Sequence, residues 1–184
     1  MIYNYNDIIK KYKNNYNLNK AIQNNEIMKI ENGLYSDLSN YKRIEVIIKK
    51  YKSPIFTMKS AFYFLGISDV IPDRYDIASD RHGTKINEPE IKQYFMDNHI
   101  LNIGKTTIKH SGIELNIYSK ERLLIEVVRY KNMIPRDYYK DIINYYRKCL
   151  NCINMQTVLD MLENFPKKDM IHKIIMEEVL WLMI

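Results

Sequence analysis

Asn32-Gly33 constrains this chain more than any other pair of residues. In the stretch EIMKIENGLYS it separates the apolar-polar alternation Ile27-Met28-Lys29-Ile30 from a second short apolar run, Leu34-Tyr35. A type I′ turn needs positive φ at both central residues, and Asn-Gly supplies it at the least steric cost, so the stretch predicts a β-hairpin. A hairpin alone is marginal in water. Residues around it must therefore complete a small folded unit, and the sequence on both sides reads as helix.

Ahead of the hairpin, 6–13 predicts a helix with Asn6 as N-cap and Ile8, Ile9 and Tyr12 on one face. Asn14-Asn15 breaks it, and 18–25 predicts a second short helix with Leu18, Ala21 and Ile22 as its apolar positions. Behind the hairpin, 39–52 carries Ile44, Ile47, Ile48 and Tyr51 at helical spacing, closed by Ser53-Pro54. This gives an N-terminal unit over 1–53 and a second domain over 54–184. In the second domain, 55–57 and 73–78 read as strands, and Thr57 as the cap of a helix that runs to Leu65 and ends at Gly66. Residues 89–99 read as helix, 106–109 and 113–118 as alternating strands, and Ser119 as the cap of a helix to Lys131. Helices over 136–150, 155–164 and 169–182 make the last third helical. The fold class is α+β: a small winged helix-turn-helix-like unit, then a mixed α/β domain.

Composition adds two constraints. With 46% hydrophobic residues the chain can bury a core without disulfides, and its longest apolar run, Val179–Ile184, is far too short to span a membrane. No basic-then-apolar leader opens it, so a soluble cytoplasmic protein with no membrane partner is expected. The net charge is +6, and 1–53 carries ten Lys and Arg against five Asp and Glu. A local excess of that kind favours a polyanion partner; a solvated lysine-rich surface is the plainer account. Lys outnumbers Arg 21 to 7 and Asn and Tyr are abundant, a bias that also follows from an AT-rich genome.

Few residues offer catalysis. Asp73, Asp76, Asp80 and His82 cluster in DRYDIASDRHG, but Asp76 and Asp80 on one strand face stand about 13 Å apart, too far to share a metal. A restriction-type nuclease needs Glu-x-Lys on a strand after an acidic residue, and Glu114-Leu115-Asn116 has Asn in place of Lys. Gly-rich phosphate loops, G-x-S-x-G and H-E-x-x-H do not occur. Cys149-Leu-Asn-Cys152 is a redox pair, half a zinc site or a structural pair at a helix end; no second pair or His-x₃₋₅-His completes a zinc site. His99, His110 and His172 stand alone. The reading is non-enzymatic, without metal or cofactor.

The N-terminal unit suits DNA better. A helix rich in Asn, Gln and Lys followed at once by a hairpin with an edge lysine is the order of a winged helix. Asn and Gln pair bidentately with adenine in the major groove, and Lys meets phosphates and guanine. Asn17, Asn19, Lys20, Gln23 and Asn24 are the candidate reading positions, with Lys29 and Asn32 on the wing. Only two short helices precede this wing where three are usual. Either the helix after the wing replaces the third, or the unit is truncated.

MKIENGLYS resembles the wing and closing Gly-x-Tyr of the AbiEi family of antitoxins, regulators of bacterial phage-defence operons. IFTMKSAFYFLGISDVIPDRYDIAS and GIELNIYSKERLLIEVVRY resemble later blocks of that family in the same order, so the resemblance covers roughly 17–180. It implies the antitoxin of a type IV toxin-antitoxin system. The N-terminal unit would bind the operator DNA of its own operon, and the larger domain would support antitoxicity. The partner implied is a nucleotidyltransferase toxin, countered without a stable complex. In the larger domain Arg74, Arg81 and Lys85 are the candidate basic surface, and Ser60, Ala61, Phe62, Phe64, Leu65 and Pro72 read as structural. Glu121 and Arg122 read as local ion-pair formers worth under about 1 kcal/mol if exposed. The alternatives are a protein-interaction module that binds the toxin or self-associates through the VLWLMI tail without touching DNA, and a divergent nucleic-acid enzyme.

Overall fold

The structure, a computed structural model, describes residues 1–37, 39–51 and 54–180. Those residues form a mixed α/β fold that divides into two units, Met1–Pro54 and Ile55–Ile184.

In the first unit the hairpin forms, but its turn is not type I′, because of the two central residues only Gly33 takes positive φ. Strands β2 (Met28–Glu31) and β3 (Leu34–Ser36) pair antiparallel around Asn32-Gly33, with Gly33 at φ +78°. What completes the sheet is β1, Ile2–Asn4, which the sequence reading passes over. It pairs antiparallel with β3 in the register Ile2↔Ser36 and Asn4↔Leu34, giving the order β1-β3-β2. The hairpin's second strand is thus the central one. Its side chains alternate between two cores, as the strand period requires. Tyr35 joins Ile8, Leu18 and Ile27, while Leu34 joins Ile2 and Val46. Helices α1 (Tyr5–Tyr12) and α2 (Asn15–Gln23) cover one face of the sheet, and α3 (Arg43–Lys50) covers the other. Asn4 caps α1 in place of Asn6, since its Oδ1 accepts from the Asp7 N–H at 2.8 Å. The third helix starts at Arg43, four residues later than its spacing suggests, and the end expected for it at Lys52 lies outside the described residues.

The second unit holds a five-stranded sheet of β4 (Ile55–Phe56), β5 (Tyr75–Asp80), β6 (Ile91–Met96), β7 (Lys105–His110) and β8 (Ile113–Tyr118). Its order is β6-β5-β4-β8-β7; β4/β8 and β5/β6 are parallel, the other two pairs antiparallel. Helix α4 (Met58–Phe64) follows β4, and the short α5 (Asn98–Leu101) follows β6. The helical last third comprises α6 (Lys120–Arg129), α7 (Arg136–Lys148), α8 (Met155–Leu162) and α9 (Lys168–Ile175), extended by a π-type turn through Leu180. Two expectations fail. Residues 89–99 are not a helix: 91–96 form β6, in register with the whole of β5 from Tyr75↔Ile91 to Asp80↔Met96. Thr57 occupies the N-cap position of α4, but its buried hydroxyl makes no capping bond. No helix among the described residues is long and apolar enough to cross a membrane. In the VLWLMI tail Val179 is buried, and 181–184 lie outside the described residues.

Helix α6 is the centre of this unit, buried at every residue from Arg122 to Val128. Ser119 caps it, accepting from the Arg122 N–H at 3.3 Å. Arg122 is not an exposed local pair-former. It is fully buried, and donates to Glu126 at 2.8 Å and to the carbonyls of Ile100 and Ile103 at 2.8 and 3.0 Å. Its guanidinium lies 4.4 Å from the ring centroids of both Tyr118 and Phe165. Gly104 is required beside it, because a Cβ there would stand 2.5 Å from the Arg122 Cβ. Cys149 and Cys152 are joined as a disulfide just past α7.

Candidate functional site

Two groupings of polar residues among the described residues are candidates for a site, one in each unit. The first is the outer face of α2. Leu18 and Ala21 bury one side of this helix, which leaves Tyr16, Asn19, Lys20 and Gln23 on the other; Tyr16 is 77% exposed. Nine residues make a helix about 14 Å long, enough to lie in a major groove about 12 Å wide. Asn17, Asn24, Lys29 and Asn32 are exposed as well. Two of the asparagines are partly committed to the fold. Asn17 Nδ2 donates to the Tyr12 carbonyl at 3.0 Å and Asn24 Nδ2 to Glu26 at 3.1 Å. They line a shallow cavity of about 490 Å³ together with Lys11, Lys13 and Lys20.

The turn between α1 and α2 sets the angle of this face. Lys13 ends α1 at φ +69°, and Asn14 caps α2 by accepting from the Asn17 N–H at 2.9 Å. The charge of the unit is also sorted. Glu31 takes both Arg43 and Lys50 at 2.5 Å, and these hydrogen bonds, Lys50 first, hold its carboxyl below the usual range. Asp7 takes Lys49 at 3.4 Å. Among the described residues no ion pair engages Lys10, Lys11, Lys13, Lys20 or Lys29. Acids therefore neutralise the α3 side, and the uncompensated cations remain on α1, α2 and the wing. Tyr16 was absent from the sequence-based candidates, although its place three residues ahead of Asn19 on the polar face marks it.

The second place is the start of β5. Asp76, only 3% exposed, is held from several sides. Its Oδ2 accepts the Lys59 N–H at 2.9 Å, capping α4 where Thr57 does not. Its own N–H donates to the buried Ser60 Oγ at 2.8 Å, and its carbonyl accepts from the Thr57 N–H at 3.0 Å. Burial pushes its carboxyl up to about 6, against the opposing pull of the Lys59 N–H bond and of the Lys92, Lys59 and Arg74 charges. A cleft of about 330 Å³ opens over it, lined by Lys59, Asp73, Arg74, Asp76 and Lys92. Met58, in the cleft's supporting turn, is held at φ +45°, a conformation that costs a non-glycine residue on the order of 1 kcal/mol.

The pairing of β6 with β5 builds one wall of this cleft. Once 91–96 is a strand, Lys92 lies directly across from Asp76 and on the same face. The other sequence candidates scatter. Asp80 turns to its own loop, accepting from His82 N at 2.7 Å. Arg81 pairs with Asp97 at 2.9 Å, and Lys85 is exposed in the following loop. Arg74 and Arg81 lie at opposite ends of β5, roughly 23 Å apart at 3.3 Å per residue, so Arg74, Arg81 and Lys85 do not make one surface. Among the described residues no three His, Cys, Asp or Glu side chains converge to hold a metal. Compared with known proteins, the chain matches no family model and no curated sequence.

Proposed function

We propose that the chain is an operator-binding antitoxin of the AbiEi type, with α2 reading the major groove of duplex DNA and the Asn32-Gly33 wing lying against the backbone. The observation that carries the DNA-binding part is the arrangement of the first unit. A strand, two helices and a hairpin follow in that order, the sheet runs β1-β3-β2, and α3 covers the sheet face away from α1 and α2. The order of strand, two helices and hairpin supports a winged-helix-like reading, while α3, on the opposite sheet face, does not take the place of the usual first helix beside α1 and α2. The exposed Asn19, Lys20 and Gln23, and the uncompensated lysines of α1, α2 and the wing, support it. The antitoxin part rests on the ordered resemblance along 17–180.

Footprinting on the DNA upstream of the chain's own reading frame tests the first part. Protection is expected at low salt, with affinity that falls steeply as salt rises, because phosphate contacts release counterions. Replacing Lys20 and Lys29 by alanine should flatten the log–log salt slope by about one for each phosphate no longer neutralised. An upstream region left wholly unprotected at low salt removes the repressor reading. Co-expression with a neighbouring nucleotidyltransferase tests the second part: growth should be restored by the full chain.

A further inference from the structure

We propose that the cleft over Asp76 binds a small phosphomonoester, held by Lys59, Arg74 and Lys92. The proposal is independent of the DNA-binding reading, since every residue it uses lies in the second unit.

Three observations point to an anion. The cleft is lined only by charged side chains, three cations and two carboxylates, drawn from α4, the segment before β5, β5 itself and β6. Among the described residues no ion pair joins Lys59, Arg74 or Lys92 to any carboxylate. The two lysines rest on aromatic faces instead, Lys59 5.5 Å from the Tyr138 ring centroid and Lys92 4.8 Å from that of Tyr94. Asp76, the one carboxylate of the cleft deep enough to neutralise them, accepts the Lys59 backbone N–H through Oδ2 and forms no ion pair with any of the three cations. Three like charges around one concavity repel one another, and an anion seated among them relieves that repulsion.

The class of anion follows from geometry and charge. A planar Arg fork with two ammonium point charges suits a phosphoryl group, which offers oxygens on several sides. A cleft of about 330 Å³ is at the lower end of small-molecule sites. It is a pocket, without the extended basic track that a duplex backbone follows, since Arg81 is distant and paired with Asp97. A phosphomonoester is close to a dianion at neutral pH, and three cations match it. Asp73 at the rim and Asp76 beneath limit the affinity.

Titration calorimetry of the full chain at pH 7.5 with inorganic phosphate, AMP and adenosine tests this. Phosphate and AMP should bind and adenosine should not. AMP binding tighter than phosphate assigns the site to nucleotide-sized esters, and equal binding assigns it to the phosphoryl group alone. Lys59→Ala and Lys92→Ala, with unchanged far-ultraviolet circular dichroism, should each weaken binding by about tenfold. Asp76→Asn should tighten it by roughly three- to tenfold, by removing a negative charge at close range while keeping an acceptor for the Lys59 N–H. Adenosine binding as well as AMP, no binding of phosphate or AMP, or lysine variants that bind as the parent does would each overturn the proposal.

Discussion

The two units of this chain handle charge in opposite ways. Among the described residues of Met1–Pro54 no charged side chain is buried: Glu31 meets Arg43 and Lys50 at the surface, and Lys10, Lys11, Lys13, Lys20 and Lys29 face solvent. Among those of Ile55–Ile184 three charged groups, Asp76, Arg122 and Glu126, are inside. The difference follows from size. A small unit built on a three-stranded sheet has few interior backbone groups left over to solvate a charge. The larger one has the Ile100 and Ile103 carbonyls to satisfy Arg122, and the Lys59 N–H to satisfy Asp76. Charge that stays outside is available to a polyanion. Charge that goes inside specifies the fold or, at Asp76, shapes a cleft.

The sharpest way to break this contrast is to remove one acid from each unit. Glu126 is fully buried and accepts from Arg122 and, through both oxygens, from Arg129 at 2.8 and 3.0 Å. Glu126→Ala leaves the Arg122 guanidinium buried without a carboxylate, and should cost about 3–5 kcal/mol of unfolding free energy in urea titration. Glu31→Ala breaks two ion pairs that reach solvent and should cost about 1 kcal/mol or less. Equal losses would mean that the buried network contributes no more than a surface pair.

Asp76 sharpens the contrast through pH. Folded, its carboxyl holds a proton up to about pH 6; unfolded, it gives the proton up near 3.8. Between those values the folded chain binds more protons, so this group's stabilisation is fully present below about pH 4 and is lost as pH rises through 6. The amount is about 3 kcal/mol over the window. Asp76→Asn keeps an acceptor for the Lys59 N–H and does not titrate. Relative to the parent it should therefore gain about 3 kcal/mol between about pH 4 and pH 7.5. A parent-minus-variant difference that stays flat with pH would show that Asp76 ionises in the fold as it does in water.

How far the sequence carried depended on the range of the forces involved. The hairpin is legible because Asn32-Gly33 makes its turn locally, and α6 because Ser119 and the apolar spacing after it are local too. Strand β1 has three residues, and nothing within them marks it; it exists because Leu34–Ser36 offers an open edge some thirty residues away. Strand β6 misleads, since Ile91, Tyr94 and Phe95 stand at helical spacing, and only pairing with β5 overrides that. The cleft was lost with it, because Lys92 on a helix has no relation to Asp76. Arg122 reads as a surface residue for a similar reason: its solvation comes from carbonyls about twenty residues back. On α2, where exposure follows from the helix period alone, the placement of Asn19, Lys20 and Gln23 could be read directly.

The smallest predicted effect isolates the backbone that presents α2. Lys13 links the two helices at φ +69°, and its N–H still donates to the Ile9 carbonyl at 2.7 Å. A side chain there costs on the order of 1 kcal/mol that glycine avoids. Lys13→Gly and Lys13→Ala both delete the charge, so their difference reports conformation alone. Glycine should slow amide exchange across α1 and α2 by about fivefold relative to alanine, the equivalent of about 1 kcal/mol. On the proposed DNA-binding role, affinity for DNA should fall by a similar amount in both variants if Lys13 contributes only its charge. A glycine variant that exchanges more slowly yet binds DNA worse than the alanine variant would show that the strained turn holds α2 at its binding angle. Glycine would then have relaxed the very geometry that the unit maintains at a cost in stability.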